Sequence, residues 1–499
     1  MPRTPLRTLV ASLSLLSLLA VPPAGHPISD DIELPQLGEP ADAVMSPREE
    51  YQIGARVTAQ IHAAGYALED PQLTDYISRL GWHIASHGSR VPDHLQFFMV
   101  RDPRINAFAL PGGFMGFNAG LMMAAESESE LAAVVAHELA HVTQRHIART
   151  IQGTRAADIA TWAAVLAAII AGSASPDVVL GALSLGQAAS LQRQVSFTRT
   201  HELEADRIGI GTMIAAGYDP QGMVSFFRRL EQQSRLYGSQ IPDILRTHPV
   251  NTTRIAEARQ RADGHSGRAD EIRPLTFSIM RARSRVLTVD RPSQALDYFK
   301  QRIESGIDQP AEWYGAALAH HALGQFQASD AILDRLLEET PRQTHFLLLK
   351  AENARGRRAP EEALSTLAVV LEQQPRYAPA RFAYAETLMD AGRPEQARQF
   401  ILDDFEHVRP FTETHRILAR AARASGDRAE LAYQSATYAW RRGDAETAME
   451  KLDAGLRHSG LSEDERARLQ SFRREVRETL PRYWRPQYEE TSDNWRPQN

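Results

Sequence analysis

A repeat of about 34 residues governs the second half of the chain. Gly324, Gly356, Gly392 and Gly426 follow one another at nearly equal intervals. Pro341, Pro375 and Pro410 trail the first three glycines by half an interval, and Ala331, Ala363 and Ala397 recur after them. Trp313 lies shortly ahead of Gly324, and Gln294–Phe299 reads as the second helix of a preceding unit. Helix, glycine turn, helix, proline at this period is the pattern of tetratricopeptide repeats. One helix pair cannot bury its apolar face alone, so the pairs must stack, and stacking creates a concave surface. The competing reading is a generic all-helical domain. Gly443 interrupts the rhythm, because it follows Gly426 after only half an interval. The repeat domain is expected over residues 280–480. The tail from 481 to 499, which carries Trp-Arg-Pro-Gln twice, is expected to be weakly ordered.

The first half must therefore hold at least one other domain, since 499 residues exceed one ordinary core. Arg3 and Arg7 precede an uncharged run, Leu9–Val21, and then Pro22, Pro23 and Ala24. That order is the order of a secretory signal peptide, expected over 1–24, and the run is short of the ~20 residues of a membrane span. An uncleaved anchor is the competing reading. Net charge is −6, which gives no basis for nucleic-acid binding. There is no cysteine, so any transition metal must be held by histidine and carboxylate. Helical spacing runs from Arg48 to about Ser89, with Leu73, Ile77, Leu80 and Ile84 on one face. Leu95–Val100 reads as a buried strand. Asn106–Leu110 and Phe114–Phe117 flank Pro111-Gly112-Gly113 as a hairpin at a sheet edge. Between Ile159 and Gln192 the only charge is Asp177. This segment reads either as a buried helical hairpin or as one that touches a membrane surface or lines a substrate channel.

The chemistry concentrates in Val134–Thr143, VVAHELAHVT. Ser127-Glu-Ser-Glu130 is a capping box ahead of it, and the helix is expected to reach about His146. Residues four apart on a helix differ by about 40° around its axis and about 6 Å along it. His137 and His141 thus present two imidazoles to one ion, while Glu138 sits beside that ion, where a general base is needed. Zinc suits such ligands. A structural helix with satisfied polar groups is the alternative. Two protein ligands are too few. A glycine at 144 and a histidine at 147 would extend the motif, but those positions are Gln144 and Ile147. His146 is off register and expected to be exposed. Glu202 and Asp206 are four apart on a helix expected over Arg199–Ala216. One of them can bind the metal while the other orients a ligand histidine. Glu204 falls on another face.

His137-Glu-x-x-His141 followed by Glu202-x-x-x-Asp206-x-x-Gly209 resembles the M48 family of zinc metallopeptidases, and Asn106–Gly113 is similar to that family's strand ahead of the active-site helix. The resemblance implies a mainly α chain. A zincin-like metalloprotease domain of helices and a small β-sheet, over 25–265, would precede the α-helical repeat solenoid. It implies one Zn2+ per chain on His137, His141 and Glu202, with Glu138 as general base. Asp206 matches the family's second acid, a proton donor or a positioning group for a ligand histidine. The strand at Asn106, Ala107 and Phe108 would bind unfolded substrate by strand addition. His248, in Thr247-His-Pro-Val250, would be a loop histidine that reaches the open metal position and holds the enzyme latent. Its other reading is a plain loop residue before a helix.

With its leader and repeats the chain resembles exported members of the family. That implies a periplasmic endopeptidase acting on unfolded or stalled outer-membrane β-barrel precursors, with a chaperone-like role and contact to the β-barrel assembly machinery through the repeats. The prenyl proteases of the family are integral membrane proteins, whereas no convincing span is present here. The rival from another class is a mostly latent chaperone or scaffold that binds clients through its repeats. Processing of one specific peptide is a third reading.

Overall fold

The computed structural model describes residues 45–151, 188–237, 242–265, 274–408 and 411–480. The expected leader over 1–24, most of 159–192 and the tail from 481 lie outside the described residues, and so do the readings made of them. Among the described residues no helix is long and apolar enough to cross a membrane.

Helix α1 (Pro47–Ala63) starts at a full capping box between Ser46 and Glu49. Helix α2 (Pro71–Ala85) starts at Asp70, whose side chain accepts from Leu73 N–H, and buries Leu73, Ile77, Leu80 and Ile84. The helical spacing from Arg48 to Ser89 is thus divided between two helices. Strands β1 (Gln96–Val100), β2 (Ala107–Leu110) and β3 (Phe114–Asn118) form a sheet in the order β1–β3–β2, with β1 parallel and β2 antiparallel to β3. The hairpin turns through Pro111–Gly113, where Gly112 and Gly113 have φ of 73° and 86°. Strand β2 lies at one edge of the sheet.

After α3 (Ala119–Ala124) comes α4 (Glu128–Thr143), buried at every residue from Ser129 to Ala140. It packs against α2, β2, α6 (Ala188–Ala215) and α7 (Gln221–Tyr237). Between α4 and α6 lies α5 (His146–Ile151), and α8 (Asp243–Thr247) and α9 (Thr252–Ala262) complete the first domain. The expected capping box on α4 forms by half. Ser127 accepts from Glu130 N–H, but the Glu130 carboxylate accepts from Glu126 N–H and from Arg229 on α7. The start of α4 is therefore tied to a neighbouring helix. Helix α6 passes α4 closely at Gly209, where a Cβ would come within 3.3 Å of the Ala136 and His137 backbone.

The second half is a series of antiparallel helix pairs. Pro274–Thr288 pairs with Pro292–Glu304, Pro310–Ala322 with Phe326–Glu339, and Thr344–Gly356 with Pro360–Gln373. Ala378–Asp390 with Pro394–Leu402, Thr412–Ser425 with Arg428–Arg441, and Ala445–Leu456 with Glu463–Thr479 follow. This is the expected class, a mainly α chain with a small sheet in the first domain and stacked helical repeats behind it. The irregular interval at Gly443 has a structural reason. Gly443 stands between two units, as Pro341 and Pro375 do, and in sequence it continues the even spacing of Pro341, Pro375 and Pro410. Gly443 also has φ of 80°, and a Cβ there would come within 2.0 Å of the Ala55 carbonyl on α1. The neighbouring Arg442 reaches Glu69 at 2.5 Å and His62 at 3.1 Å.

A buried polar row makes a second contact between the two halves. Arg283 donates to both oxygens of Asp70, at 2.9 and 2.7 Å, and to the Tyr314 hydroxyl at 2.9 Å. Removing one partner of such a pair strands a buried charge, at a cost of about 3–5 kcal/mol. His345 lies 2.9 Å from Gln72 Oε1, and the Arg79 guanidinium sits 5.1 Å from the Tyr377 ring centroid. Burial pushes the His345 pKa down to about 3, with Arg283 and Arg79 adding to the effect. The unfolded imidazole titrates near 6.5, so His345 favours the folded state above that pH and loses this contribution as pH falls from about 6.5 toward 3. Between pH 7.5 and 5.0 the loss is about 2 kcal/mol. The stability advantage of wild type over His345→Gln should shrink by that amount across this interval in thermal unfolding. An unchanged difference would exclude a neutral His345.

Candidate metal centre

Four side chains from three parts of the first domain converge on one point. Helix α4 supplies His137 and His141, α6 supplies Glu202, and the loop after α8 supplies His248. One ligand atom from each lies within 4.8 Å of all the others. His137 Nε2 is 3.0 Å from His141 Nε2 and 3.3 Å from His248 Nδ1. Glu202 Oε1 is 3.0 Å from His248 Nδ1 and 3.5 Å from His141 Nε2, and Glu202 Oε2 is 3.4 Å from His137 Nε2. A tetrahedral ion with nitrogen and oxygen ligands at about 2.0–2.1 Å separates those ligands by about 3.3 Å. Three imidazole nitrogens and a carboxylate converging at these separations present lone pairs that one divalent cation can satisfy together. The donor set and its spacing fit a zinc ion.

Burial opposes charge on His137, but hydrogen bonding to Asp206 and Glu202 outweighs it and raises the pKa to about 10, so metal binding at this imidazole must release a proton. Burial and the adjacent His137 hold His141 well below its ordinary value. Burial works against the Glu202 carboxylate, yet His248 and His137 hold its pKa well below the usual range. The cluster thus keeps its carboxylate ionised, the form in which a carboxylate binds a metal.

Glu138 lies beside this cluster and is 1% exposed. Neither carboxylate oxygen has a hydrogen-bond partner among the described residues. His248 Nε2 lies 3.5 Å from Glu138 Oε1. A buried carboxylate without hydrogen-bond partners is costly and points to a reacting partner.

Asp206 is engaged on both oxygens. His137 Nδ1 donates to Oδ1 at 3.0 Å, which fixes the tautomer that leaves Nε2 free for a metal. Arg254 donates to Oδ2 at 2.6 Å through Nε and to Oδ1 at 2.7 Å through Nη2. Arg254 also reaches Glu202 Oε2 at 2.8 Å and the Pro249 carbonyl at 2.9 Å. Burial acts against the Asp206 charge, and Arg254 with His137 reverses the balance and lowers its pKa. One guanidinium thereby anchors Glu202, Asp206 and the loop that carries His248. Sequence reasoning misses Arg254. A buried arginine looks like any other in a segment with Arg259 and Arg261 nearby.

Two expectations are corrected. Helix α4 ends at Thr143, short of His146, because Arg145 takes the left-handed conformation at φ 50°. Its side chain is held by Glu50 Oε1 at 3.1 Å and the Met45 carbonyl at 2.7 Å. The kink turns His146 back toward His141, so His146 is buried at 3% exposure and does not face solvent. Glu204, on the other face of α6 as expected, meets His146 there. Asn106 and Ala107 are buried and Phe108 partly buried at the start of β2, which packs on α4. These three therefore lie beside the metal helix, outside the ligand cluster.

Replacement of Arg254 by Met leaves Asp206 buried without its cation. Folding stability should fall by about 3–5 kcal/mol in denaturant titration, and the purified variant should retain less zinc than wild type after dialysis against a chelator. Wild-type stability and zinc retention would mean that the guanidinium is dispensable.

Comparison with known proteins matches residues 70–262 to peptidase family M48 and residues 354–404 to the tetratricopeptide repeat. The beta-barrel assembly-enhancing protease of Escherichia coli strain K12 is 31% identical over 445 residues, which is 87% of this chain and 89% of that protein. A putative beta-barrel assembly-enhancing protease of Vibrio cholerae is 38% identical over 326 residues, 64% of this chain and 66% of the relative. The mitochondrial metalloendopeptidase OMA1 of Arabidopsis thaliana is 31% identical over 159 residues, 32% of this chain and 30% of that protein. The chain belongs to peptidase family M48, a zinc metalloendopeptidase with tetratricopeptide repeats behind its peptidase domain.

Proposed function

We propose that this chain is an exported, periplasmic endopeptidase that binds one zinc ion and hydrolyses unfolded or stalled outer-membrane β-barrel precursors. The precursor class and a contact between the repeats and the assembly machinery rest on the names of the relatives. The peptidase reading rests above all on Glu138, a buried carboxylate with no hydrogen-bond partner among the described residues, set against a cluster whose spacing fits zinc.

His137, His141 and Glu202 would hold the metal. When bound, zinc supplies Lewis acidity to the scissile carbonyl and to the attacking water. Glu138 takes the proton of that water and returns it to the leaving amine. Asp206 is assigned to orientation of His137, because Arg254 and His137 occupy both its oxygens. Strand β2, at the sheet edge beside α4, receives an extended substrate segment by strand addition at Asn106, Ala107 and Phe108.

His248 supports a second feature, latency. Its Nδ1 joins the other ligand atoms as a fourth member, where a catalytic zinc site keeps a position for water or substrate. The cavity lined by His137, Glu138 and His248 measures only about 20 Å³, too small for a peptide. In this form the enzyme is held closed by its own loop. The scaffold reading draws on the same observation, since a permanently closed site would leave client binding as the function.

Two variants separate these readings. Glu138→Gln should reduce cleavage of an unfolded β-barrel precursor about 10²–10⁴-fold while zinc content and client binding persist. Equal cleavage by wild type and variant would sink the peptidase reading. His248→Ala should raise cleavage of the same substrate above wild type, measured as initial rate at saturating zinc, and an unchanged rate would remove the latch.

A further inference from the structure

Next to His141, four further side chains form a contiguous group that the proposed mechanism does not use. His146 Nδ1 lies 2.8 Å from His141 Nδ1, and His146 Nε2 lies 3.2 Å from Glu204 Oε2. Arg149 Nη1 donates to the same Glu204 oxygen at 3.1 Å. The His201 ring stacks on His146 with centroids 4.2 Å apart and planes 8° from parallel.

Two imidazole nitrogens this close share one proton, so one donates and the other accepts. The direction decides whether His141 can bind a metal. If His141 Nδ1 donates, its Nε2 carries a lone pair toward the cluster. If His146 Nδ1 donates, neutral His141 carries its proton on Nε2, pointed at His137 Nε2 only 3.0 Å away. Glu204 selects between them. An ionised carboxylate only accepts, so it takes the N–H of His146 Nε2. Neutral His146 then has its lone pair on Nδ1, and His141 Nδ1 must donate to it.

We propose that Glu204, acting through His146, sets the tautomer and orientation of His141 and so prepares its Nε2 for the metal. The inference rests on the zinc reading. Glu204 and His146 are positioning residues, and Arg149 and the stacked His201 hold them in place. Helix α6 then serves each metal-binding histidine of α4 with a carboxylate. Asp206 bonds His137 directly, while Glu204 reaches His141 through one intervening ring, because the kink at Arg145 has put that ring between them.

Zinc affinity of the full chain, measured by competition with a chromophoric chelator, tests this. His146→Leu and Glu204→Leu should each weaken zinc binding about 10–100-fold, and cobalt-substituted samples should show an altered visible ligand-field spectrum. His146→Asn places an amide oxygen near the Nδ1 position, can still accept from His141, and should stay within about threefold of wild type. Thermal unfolding of the chelated proteins shows which variants fold, and Glu204→Leu, at a side chain 22% exposed, carries the test if His146→Leu does not. The relay is overturned if the leucine variants bind zinc as wild type does, or if His146→Asn is as weak as His146→Leu. A wild-type chain that binds no zinc overturns both the relay and the metal reading, whereas wild-type binding with unaffected variants overturns the relay alone.

Discussion

The site depends on how closely α6 crosses α4. Two helices far apart in the chain must bring Glu202 within 3.5 Å of both imidazoles of α4. Gly209 permits that approach, because a side chain there would press on the Ala136 and His137 backbone. Close approach alone would place three imidazoles against two carboxylates among buried side chains. Arg254 makes that tolerable. Its buried guanidinium neutralises Asp206, touches Glu202 and fixes the carbonyl next to His248. A buried charge of this kind persists only when its partners are held in good geometry. The crossing at Gly209 and the contacts of Arg254 therefore constrain each other.

The legible part of this arrangement is the part with a short period. His137, Glu138 and His141 are placed by helical geometry, and Glu202 with Asp206 by the same geometry on a second helix. The repeat pairs follow from the glycine and proline spacing for a similar reason. What sequence hides depends on single backbone events. Nothing in Gln144-Arg145 marks a left-handed residue, since neither glycine nor asparagine is present, and so the pattern alone carries the helix on to His146 and toward solvent. The φ of Arg145 is stabilised by Glu50 and Met45, far upstream, and such long-range contacts leave no local signal. Arg254 is illegible for a related reason, because burial of an arginine is a property of the tertiary fold.

Gly443 shows the reverse case, a feature visible in sequence whose meaning only packing supplies. Read as a repeat glycine it falls half a period early. In the fold it takes the between-unit position that prolines hold elsewhere, and its missing side chain lets the Ala55 carbonyl of α1 come close. Together with the Arg442 contacts and the buried Arg283–Asp70 pair, it joins the solenoid to α1 and the start of α2. The repeats are thus fastened to the same helices that pack against the sheet.

The loop that carries His248 is bonded to the chain leading into that strand. Ile244 N–H donates to the Ile105 carbonyl at 3.1 Å, and Asp243 pairs with Arg104 at 2.7 Å. Ile105 immediately precedes the Asn106–Phe108 stretch assigned to substrate. A segment that adds to β2 and extends past its start competes with α8 for the same backbone, and α8 ends where His248 begins. Displacing α8 would remove the Ile244–Ile105 and Asp243–Arg104 contacts and leave the loop held by the Arg254–Pro249 hydrogen bond and by His248 on Glu202. If substrate adds to β2 and His248 acts as a latch, the two events would be linked through four consecutive residues, Arg104 to Ala107.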